Sequence, residues 1–337
     1  MKAVGYTETG SIDRDDALID FELETPVPTG RDLLVKISAI SVNPVDTKIR
    51  RLRAPDGDVP AILGWDGVGE VVATGDQATV FSAGDRVWYA GAIDRPGTNS
   101  EFHLVDERIV GHAPQSLTDA AAAALPLTTL TAYEMLFDRL RVFDPVPGAA
   151  QAVLIIGGSG GVGSIAIQLL RAKTDLNVIA TASRDETKAW VKDLGAHHVI
   201  DHSKPLAAQV AALGIGEPGV VFSTTHTGSY VKAIADLVAP QGRIGLIDDP
   251  EAFDIAPFKQ KSVSIHWEFM YTRSMFQTVD IDRQSAILNE VADLIDAGHI
   301  RSTATKTLGA INAQNLKHAH AILEGGTAKG KLVLEGF

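Results

Sequence analysis

Residues 157–163 read Gly157-Gly-Ser-Gly-Gly-Val-Gly163. Gly158, Gly160 and Gly163 have the spacing GxGxxG. Glycine lets a chain turn tightly and lets backbone amides approach a pyrophosphate, and a helix that starts there adds partial positive charge. A short apolar run, Val153 to Ile156, precedes the turn. Apolar residues at helical spacing follow it: Ile165, Ala166, Leu169 and Leu170. Strand, glycine turn and helix together form a dinucleotide-binding pattern, with Gly158, Ser159, Gly160, Gly161 and Val162 as its phosphate contacts. No Gly-Lys-Ser/Thr follows, which disfavours a nucleotide-triphosphate loop.

The next strand, Val178 to Ala180, runs into Thr181-Ala-Ser183-Arg184, with Lys188 one turn along the following helix. An NAD site usually places a carboxylate at this strand end, for the ribose hydroxyls. Ser183, Arg184 and Lys188 suit a 2′-phosphate instead, which points to NADP(H). Other readings stay open. Ser183 and Glu186 have capping-box spacing. Arg184 and Lys188 could be solvated charges, and Asp185 could turn inward. Later strand ends carry Ser223 and Thr224, then Leu246, Ile247 and Asp248. These lie where open α/β sheets bind ligands, so they are expected at the cofactor.

The elements that must position these groups alternate. Strands at 153–156, 178–180, 199–200, 220–222 and 243–247 are separated by helical segments, which implies right-handed βαβ units and a parallel sheet. The first ~120 residues differ. They are rich in short strands: Leu33 to Ile40, Gly67 to Gly75, and Arg86 to Ala90 after the Gly84-Asp85 turn. Helices at 282–297 and 315–323 and a strand at 331–334 close the chain. A length of 337 residues fits about two domains.

Composition removes several chemistries. The net charge of −12 disfavours nucleic-acid backbones. With no cysteine there is no thiolate nucleophile, disulfide or cysteine-rich metal site. No run reaches ~18 apolar residues, the richest, Ala120 to Leu127, being interrupted by Pro126. The expectation is a cytoplasmic protein without membrane association.

Several stretches resemble the medium-chain dehydrogenase/reductase superfamily, in its quinone oxidoreductase branch and the "zinc-type alcohol dehydrogenase-like" group. They are Ser41-Val-Asn43-Pro-Val-Asp46, Ile62-Leu-Gly64-Trp65-Asp66-Gly-Val-Gly69, Gly84-Asp85-Arg86-Val87, Leu125-Pro-Leu-Thr-Thr-Leu-Thr131-Ala-Tyr133, the glycine turn and Gly330-Lys331-Leu-Val-Leu334. The resemblance spans nearly the whole chain. It implies an α/β protein with a GroES-like β-rich catalytic domain (1–124 and 268–337) around a Rossmann domain (125–267), and an active-site cleft between them. It also implies a homodimer joined through the Rossmann sheets, for which Ile265 to Tyr271 could supply an edge strand. Thr131 and Lys331 match family positions near the cofactor. His202 stands where relatives often place a tyrosine near the adenine, and could stack there, meet the 2′-phosphate or be a plain loop residue. The positions that bind zinc in metal-dependent relatives hold Asn43, Trp65 and Leu127, so no metal is expected.

Without a metal, charge developing on a carbonyl oxygen must be met by hydrogen-bond donors. A conjugated acceptor spreads that charge, which favours quinones and α,β-unsaturated carbonyls over simple ketones. The candidate catalytic donors are Asn43 and Tyr271. Asn43 could equally be a turn residue before Pro44. Trp65 and Tyr89 are candidate substrate contacts, with core packing as the alternative for Tyr89, Tyr271 and Trp65. The expected function is NADPH-dependent reduction of such acceptors, with small-molecule partners only. Two alternatives stand beside it. An enoyl-thioester reductase would need a basic patch, for which Arg50, Arg51 and Arg53 are the densest run, unless they form a solvated face. A non-enzymatic NADPH-binding sensor or structural protein would keep only the cofactor site. The pairs His197-His198 and His318/His320 are expected to be solvated or capping.

Overall fold

The computed structural model describes residues 1–57 and 59–337. The chain forms two compact units, one from residues 1–130 and 271–337, the other from 131–270. These boundaries fall a few residues from the expected 124/125 and 267/268.

The first unit opens with β1 (Lys2–Tyr6) and β2 (Ile19–Glu22), which pair antiparallel; β1 also pairs with the short β4 (Ala61–Ile62). The long β3 (Asp32–Val42) is the spine of a second sheet. Helix α1 (Pro44–Leu52) follows it directly, with Pro44 at the first turn, where a missing N–H costs nothing. Next come β5 (Gly67–Thr74), β6 (Arg86–Tyr89), β7 (Phe102–Asp106) and β8 (Val110–His112), all antiparallel to their neighbours. At Gly69 a Cβ would stand 2.1 Å from the Lys36 carbonyl oxygen, so only glycine lets β5 lie this close to β3.

Helices α2 (Asp119–Ala123) and α3 (Pro126–Tyr133) and a π-helical turn (Glu134–Arg139) run on from one another. By length and composition alone, residues 119–139 could cross a membrane, contrary to the sequence expectation. Pro126 does not interrupt the stretch because it begins α3. Of its apolar window, 89% is buried inside the protein, as in a core helix.

The second unit is a six-stranded parallel sheet built from β9 (Ala150–Ile156), β10 (Asn177–Thr181), β11 (His198–Ile200), β12 (Pro218–Ser223), β13 (Arg243–Leu246) and β14 (Ser264–Trp267). The order is β11-β10-β9-β12-β13-β14, a doubly wound sheet that reverses direction beside β9. Helices α4 (Gly161–Lys173), α5 (Asp185–Asp193), α6 (Leu206–Ala212) and α7 (Thr227–Leu237) make the crossovers. Residues 152–156 of β9 are all buried, the continuous apolar run of a central parallel strand. Gly195 ends α5 at φ +107°, with its N–H donating to the Lys192 carbonyl and that of Ala196 to the Val191 carbonyl. A glycine with positive φ just past the last turn is a common helix stop.

The tail, α8 (Thr272–Met275), α9 (Arg283–Asp296), β15 (Ala304–Thr307), α10 (Ala313–Glu324) and β16 (Lys331–Glu335), belongs to the first unit. β16 pairs antiparallel with β3, Leu332 facing Val42. That register brings Lys331 beside Asn43.

Candidate active site and cofactor cradle

In the first unit, four segments far apart in sequence meet at one buried cluster. Lys331, 4% exposed, donates from Nζ to the Val42 carbonyl at 3.1 Å, to Asp66 Oδ2 at 3.1 Å and to Asn43 Oδ1. Asn43 Nδ2 donates to the same Asp66 oxygen at 2.7 Å. The other Asp66 oxygen accepts the Leu127 N–H at 2.7 Å. Asp46 completes the group at the third position of α1. Its carboxylate accepts the Asn43 N–H at 2.5 Å and the Gly64 N–H at 3.1 Å. Burial pushes the Asp46 carboxyl up to about 7; the two N–H bonds and Lys331 oppose this, and Asp66 adds to it.

Asn43 is thus held at both ends of its amide, by Asp66 and Lys331. Its geometry is that of a strut between charges and not of an amide presented to an acceptor. Lys331 is likewise turned into this cluster. Tyr271, at the start of α8, is buried, and its ring stands edge-on to Trp65 with centroids 6.2 Å apart. Its phenol is raised well above the ordinary value, first by burial and then by the charges of Asp46 and Asp66, so it keeps its proton. Trp65 donates from Nε1 to the Ala92 carbonyl at 3.0 Å.

Tyr89 and His103 form a separate pair. Their rings stack at 5.5 Å, and the Tyr89 hydroxyl lies 3.0 Å from His103 Nδ1. His103 Nε2 lies 2.9 Å from the Pro96 carbonyl, which can only accept. That fixes the proton on Nε2, so the Tyr89 hydroxyl is the donor to Nδ1. Burial pulls His103 down to about 4, which keeps it neutral. The Tyr89 hydroxyl is therefore spent inside the protein, in line with the packing alternative.

The positions zinc would need do not fit it. Asn43 is locked in the cluster, the Trp65 indole is a donor, and Leu127 offers an apolar side chain. Among the described residues, no group of three or more His, Asp and Glu side chains could hold a metal ion.

In the second unit the glycine turn links β9 to α4. Gly157 has φ +84°, and its N–H donates to Thr181 Oγ1 at 3.0 Å, tying the turn to the end of β10. A Cβ on Gly163 would lie 2.3 Å from the Gly157 carbonyl oxygen, and one on Gly158 would lie 2.9 Å from Ala180 Cβ. A Cβ on Gly160 would meet nothing nearer than 3.6 Å. The outer glycines are demanded by packing, whereas the middle one faces open space at the head of α4, where a pyrophosphate would sit. Ser159, Gly161 and Val162 are half-buried around it.

At the end of β10, Ser183 is half-buried and Arg184 exposed. The α5 N-cap is Arg184, so Ser183 does not cap the helix. Lys188 pairs with Asp201 at 3.3 Å, and any phosphate would share it with that carboxylate. Sequence reasoning missed Asp201, which lies past the end of β11, next to the half-buried His202. Ser203, first, and Lys188 hold it down to about 2. Ser223 is buried and bonded to Thr227 Oγ1 at 2.7 Å, and Thr224 Oγ1 donates to the Ile156 carbonyl at 2.9 Å. Asp248 accepts the Thr227 N–H at 2.8 Å, at the start of α7. These three side chains brace the strand ends. Leu246 and Thr131 are buried, and Ile247 is half-buried.

Two expectations are corrected. Arg50 does not share the exposed face of Arg51 and Arg53: it is 1% exposed and donates to Glu324, to the Gly10 carbonyl at 2.6 Å and to His320 Nδ1 at 3.3 Å. Arg53 donates to the Ile93 carbonyl at 2.8 Å. His320 is accordingly buried, neither solvated nor capping; burial pulls it down to about 3.

A parallel doubly wound unit carrying the glycine cradle, inserted in a β-rich unit built from both chain ends, defines a medium-chain dehydrogenase/reductase. The alcohol dehydrogenase GroES-like domain matches residues 29–115, and the zinc-binding dehydrogenase domain matches residues 161–285. A zinc-type alcohol dehydrogenase-like protein of Staphylococcus epidermidis is 39% identical, over 99% of both chains. A Rhizobium etli crystal structure, provisionally named a zinc-dependent alcohol dehydrogenase, is 61% identical, with a TM-score of 0.99 over 100% of this chain and 98% of that one. A Pseudomonas syringae quinone oxidoreductase is 26% identical, with a TM-score of 0.83 over 99% of each chain. A mycobacterial protein complexed with NADPH is also 26% identical, with a TM-score of 0.82 over 99% of each chain. The chain belongs to the zinc-type alcohol dehydrogenase-like group of this superfamily, in its quinone oxidoreductase branch, and among its described residues it lacks the metal site the group's name implies.

Proposed function

We propose that the chain is a zinc-independent, NADPH-dependent reductase of quinones or α,β-unsaturated carbonyls. The observation that carries this reading is Tyr271, a buried phenol held in its protonated form beside Trp65. A neutral donor in a dry site suits a carbonyl oxygen that becomes anionic as it is reduced. Bound NADPH supplies the hydride. Tyr271 hydrogen-bonds the oxygen, Trp65 presents an aromatic face to the planar acceptor, and the Asn43–Asp46–Asp66–Lys331 cluster fixes the strands around them. Because the phenol's pKa is raised, Tyr271 stabilises the oxyanion without surrendering its proton, which then comes from solvent. NADPH preference is assigned to Ser183 and Arg184 at the end of β10, in keeping with the relative bound to NADPH.

We further place the protein in the cytoplasm, in keeping with its lack of cysteine. We also propose a homodimer through the outer strand β14, where Trp267 and the following Phe269 are exposed.

The test is oxidation of NADPH and of NADH by an ortho-quinone and by a small enone, in excess chelator. Chelator-resistant turnover favouring NADPH is expected, with Arg184→Ala narrowing that preference by about tenfold. Turnover that chelator abolishes and zinc restores would overturn the mechanism. Preference for NADH would overturn the phosphate assignment alone.

A further inference from the structure

Where β10 and β11 end, a carboxylate stands beside the positive groups. The two strands run parallel with Thr181 facing Ile200, and the Ala182 N–H donates to the Ile200 carbonyl at 2.9 Å. Asp201, the residue after Ile200, therefore lies at the same edge of the sheet as Ser183, the residue after Ala182. Three segments fix it there. Gln209 of α6 accepts the Asp201 N–H at 2.8 Å and donates to the Asp201 carbonyl at 2.8 Å. Ser203, in the same turn, donates to Oδ1 from its N–H at 3.0 Å and from Oγ at 2.7 Å. Lys188 of α5 donates to Oδ2 at 3.3 Å.

A carboxylate near the ribose of a dinucleotide usually accepts from its 2′-hydroxyl. Asp201 is built differently. Both of its oxygens already serve the protein, and its side chain is 12% exposed, against 37% for Lys188. Its carboxyl, held down to about 2, stays charged near neutral pH. The charge therefore acts on a nucleotide chiefly through Lys188. An ammonium paired with a carboxylate meets a phosphate only by dividing itself between the two anions or by leaving the first. The pair is partly exposed, so its hold is modest and depends on salt.

We propose that Asp201 is a specificity-determining residue: it holds Lys188 back from a 2′-phosphate and so limits how strongly NADP(H) is preferred over NAD(H). The inference rests on the NADPH reading above and names what bounds that preference. Ser183 and Arg184 carry the phosphate, and Lys188 joins them when the Asp201 charge is removed.

The experiment is calorimetric binding of 2′,5′-ADP and of 5′-AMP, which differ only in the 2′-phosphate, to the full chain and its variants. Asp201→Asn keeps an oxygen for the Ser203 donors and removes the charge. It is expected to tighten 2′,5′-ADP about fivefold and to leave 5′-AMP within about twofold. The gain should shrink in ~1 M salt, where screening acts within about 3 Å, and should largely vanish in a Lys188→Met background. Lys188→Met alone should weaken 2′,5′-ADP less than about threefold, because its ammonium is already engaged. A tenfold loss there, no gain from Asp201→Asn, an equal gain for both nucleotides, or a gain that survives Lys188→Met or high salt would overturn the proposal. The two readings fail separately. If the parent binds both nucleotides alike and Asp201→Asn tightens only 2′,5′-ADP, the NADPH preference falls and the role of Asp201 stands. If the parent prefers 2′,5′-ADP and Asp201→Asn changes nothing, the role of Asp201 falls and the preference stands.

Discussion

The glycine cradle and the Lys331–Asp66–Asn43 cluster are built on opposite principles. The cradle is one continuous stretch, residues 157–163, and it works through backbone amides and missing Cβ atoms. The cluster is assembled from the side chains of Asn43, Asp46, Asp66 and Lys331, with the Leu127 backbone N–H as a further donor. The cradle is open at Gly160, whereas the cluster is closed, each member spending its bonds on another. The part proposed to bind the cofactor is therefore local and stereotyped. The part proposed to surround the acceptor is non-local, and its charges hold a shape by bonding to one another.

The sharpest way to break this contrast is inside the cradle itself. Gly163→Val would drive a side chain into the Gly157 carbonyl and Gly158 Cα, at 2.3 and 2.7 Å. NADPH binding, read by calorimetry, is expected to be lost, with a lower melting temperature. Gly160→Ala meets no such clash, so it should fold normally yet bind NADPH more weakly. Equal thermal damage from the two changes would show that the glycines serve packing alone.

The cluster is tested next. Lys331→Met leaves a buried carboxylate without its counter-charge, and denaturant unfolding should register a loss of about 3–5 kcal/mol. The double change Lys331→Met with Asp66→Asn should recover part of that loss. If the single change were neutral, the cluster would not be the closed ionic unit described.

The smallest effect concerns acid. Buried His103 and His320 titrate at about 4 and about 3, against 6.5 in the ordinary state. As pH falls below 6.5 the unfolded chain binds more protons at these residues, so their contribution to stability is lost. Asp46, raised to about 7 from 3.8, acts in the opposite sense, because the folded state takes up its proton first. Two histidines against one carboxyl leave a net loss of about 1 kcal/mol between pH 7 and 5. In His320→Gln, whose amide can still accept from Arg50, urea titrations over that range should show the loss vanish. An unchanged acid loss would mean that His320 is not held neutral in the fold.

What the sequence revealed follows the same division. Alternation of short apolar runs with helical segments was enough for the parallel unit. The glycine turn was legible because its shape resides in glycine itself. Asp46 meets Asn43 locally, from the third position of α1. Asp66 and Lys331 could not be paired, because their meeting depends on the register of β16 against β3. Arg50 looked like surface because its partners, Gly10, His320 and Glu324, are 40 to 274 residues away. Ser223, Thr224 and Asp248 stand at the expected strand ends, but their polar atoms turn onto Thr227 and onto the Ile156 carbonyl. Strand position could be predicted from the sequence; side-chain direction could not.

The measurement closest to the central claim is steady-state kinetics of Tyr271→Phe with a quinone and an enone, under excess chelator. The substitution keeps the ring against Trp65 and removes only the hydroxyl. A fall in kcat of about a hundredfold, with the KM for NADPH unchanged, is expected if the phenol stabilises the oxyanion. A kcat within roughly twofold of the parent would contradict it and return Tyr271 to the core.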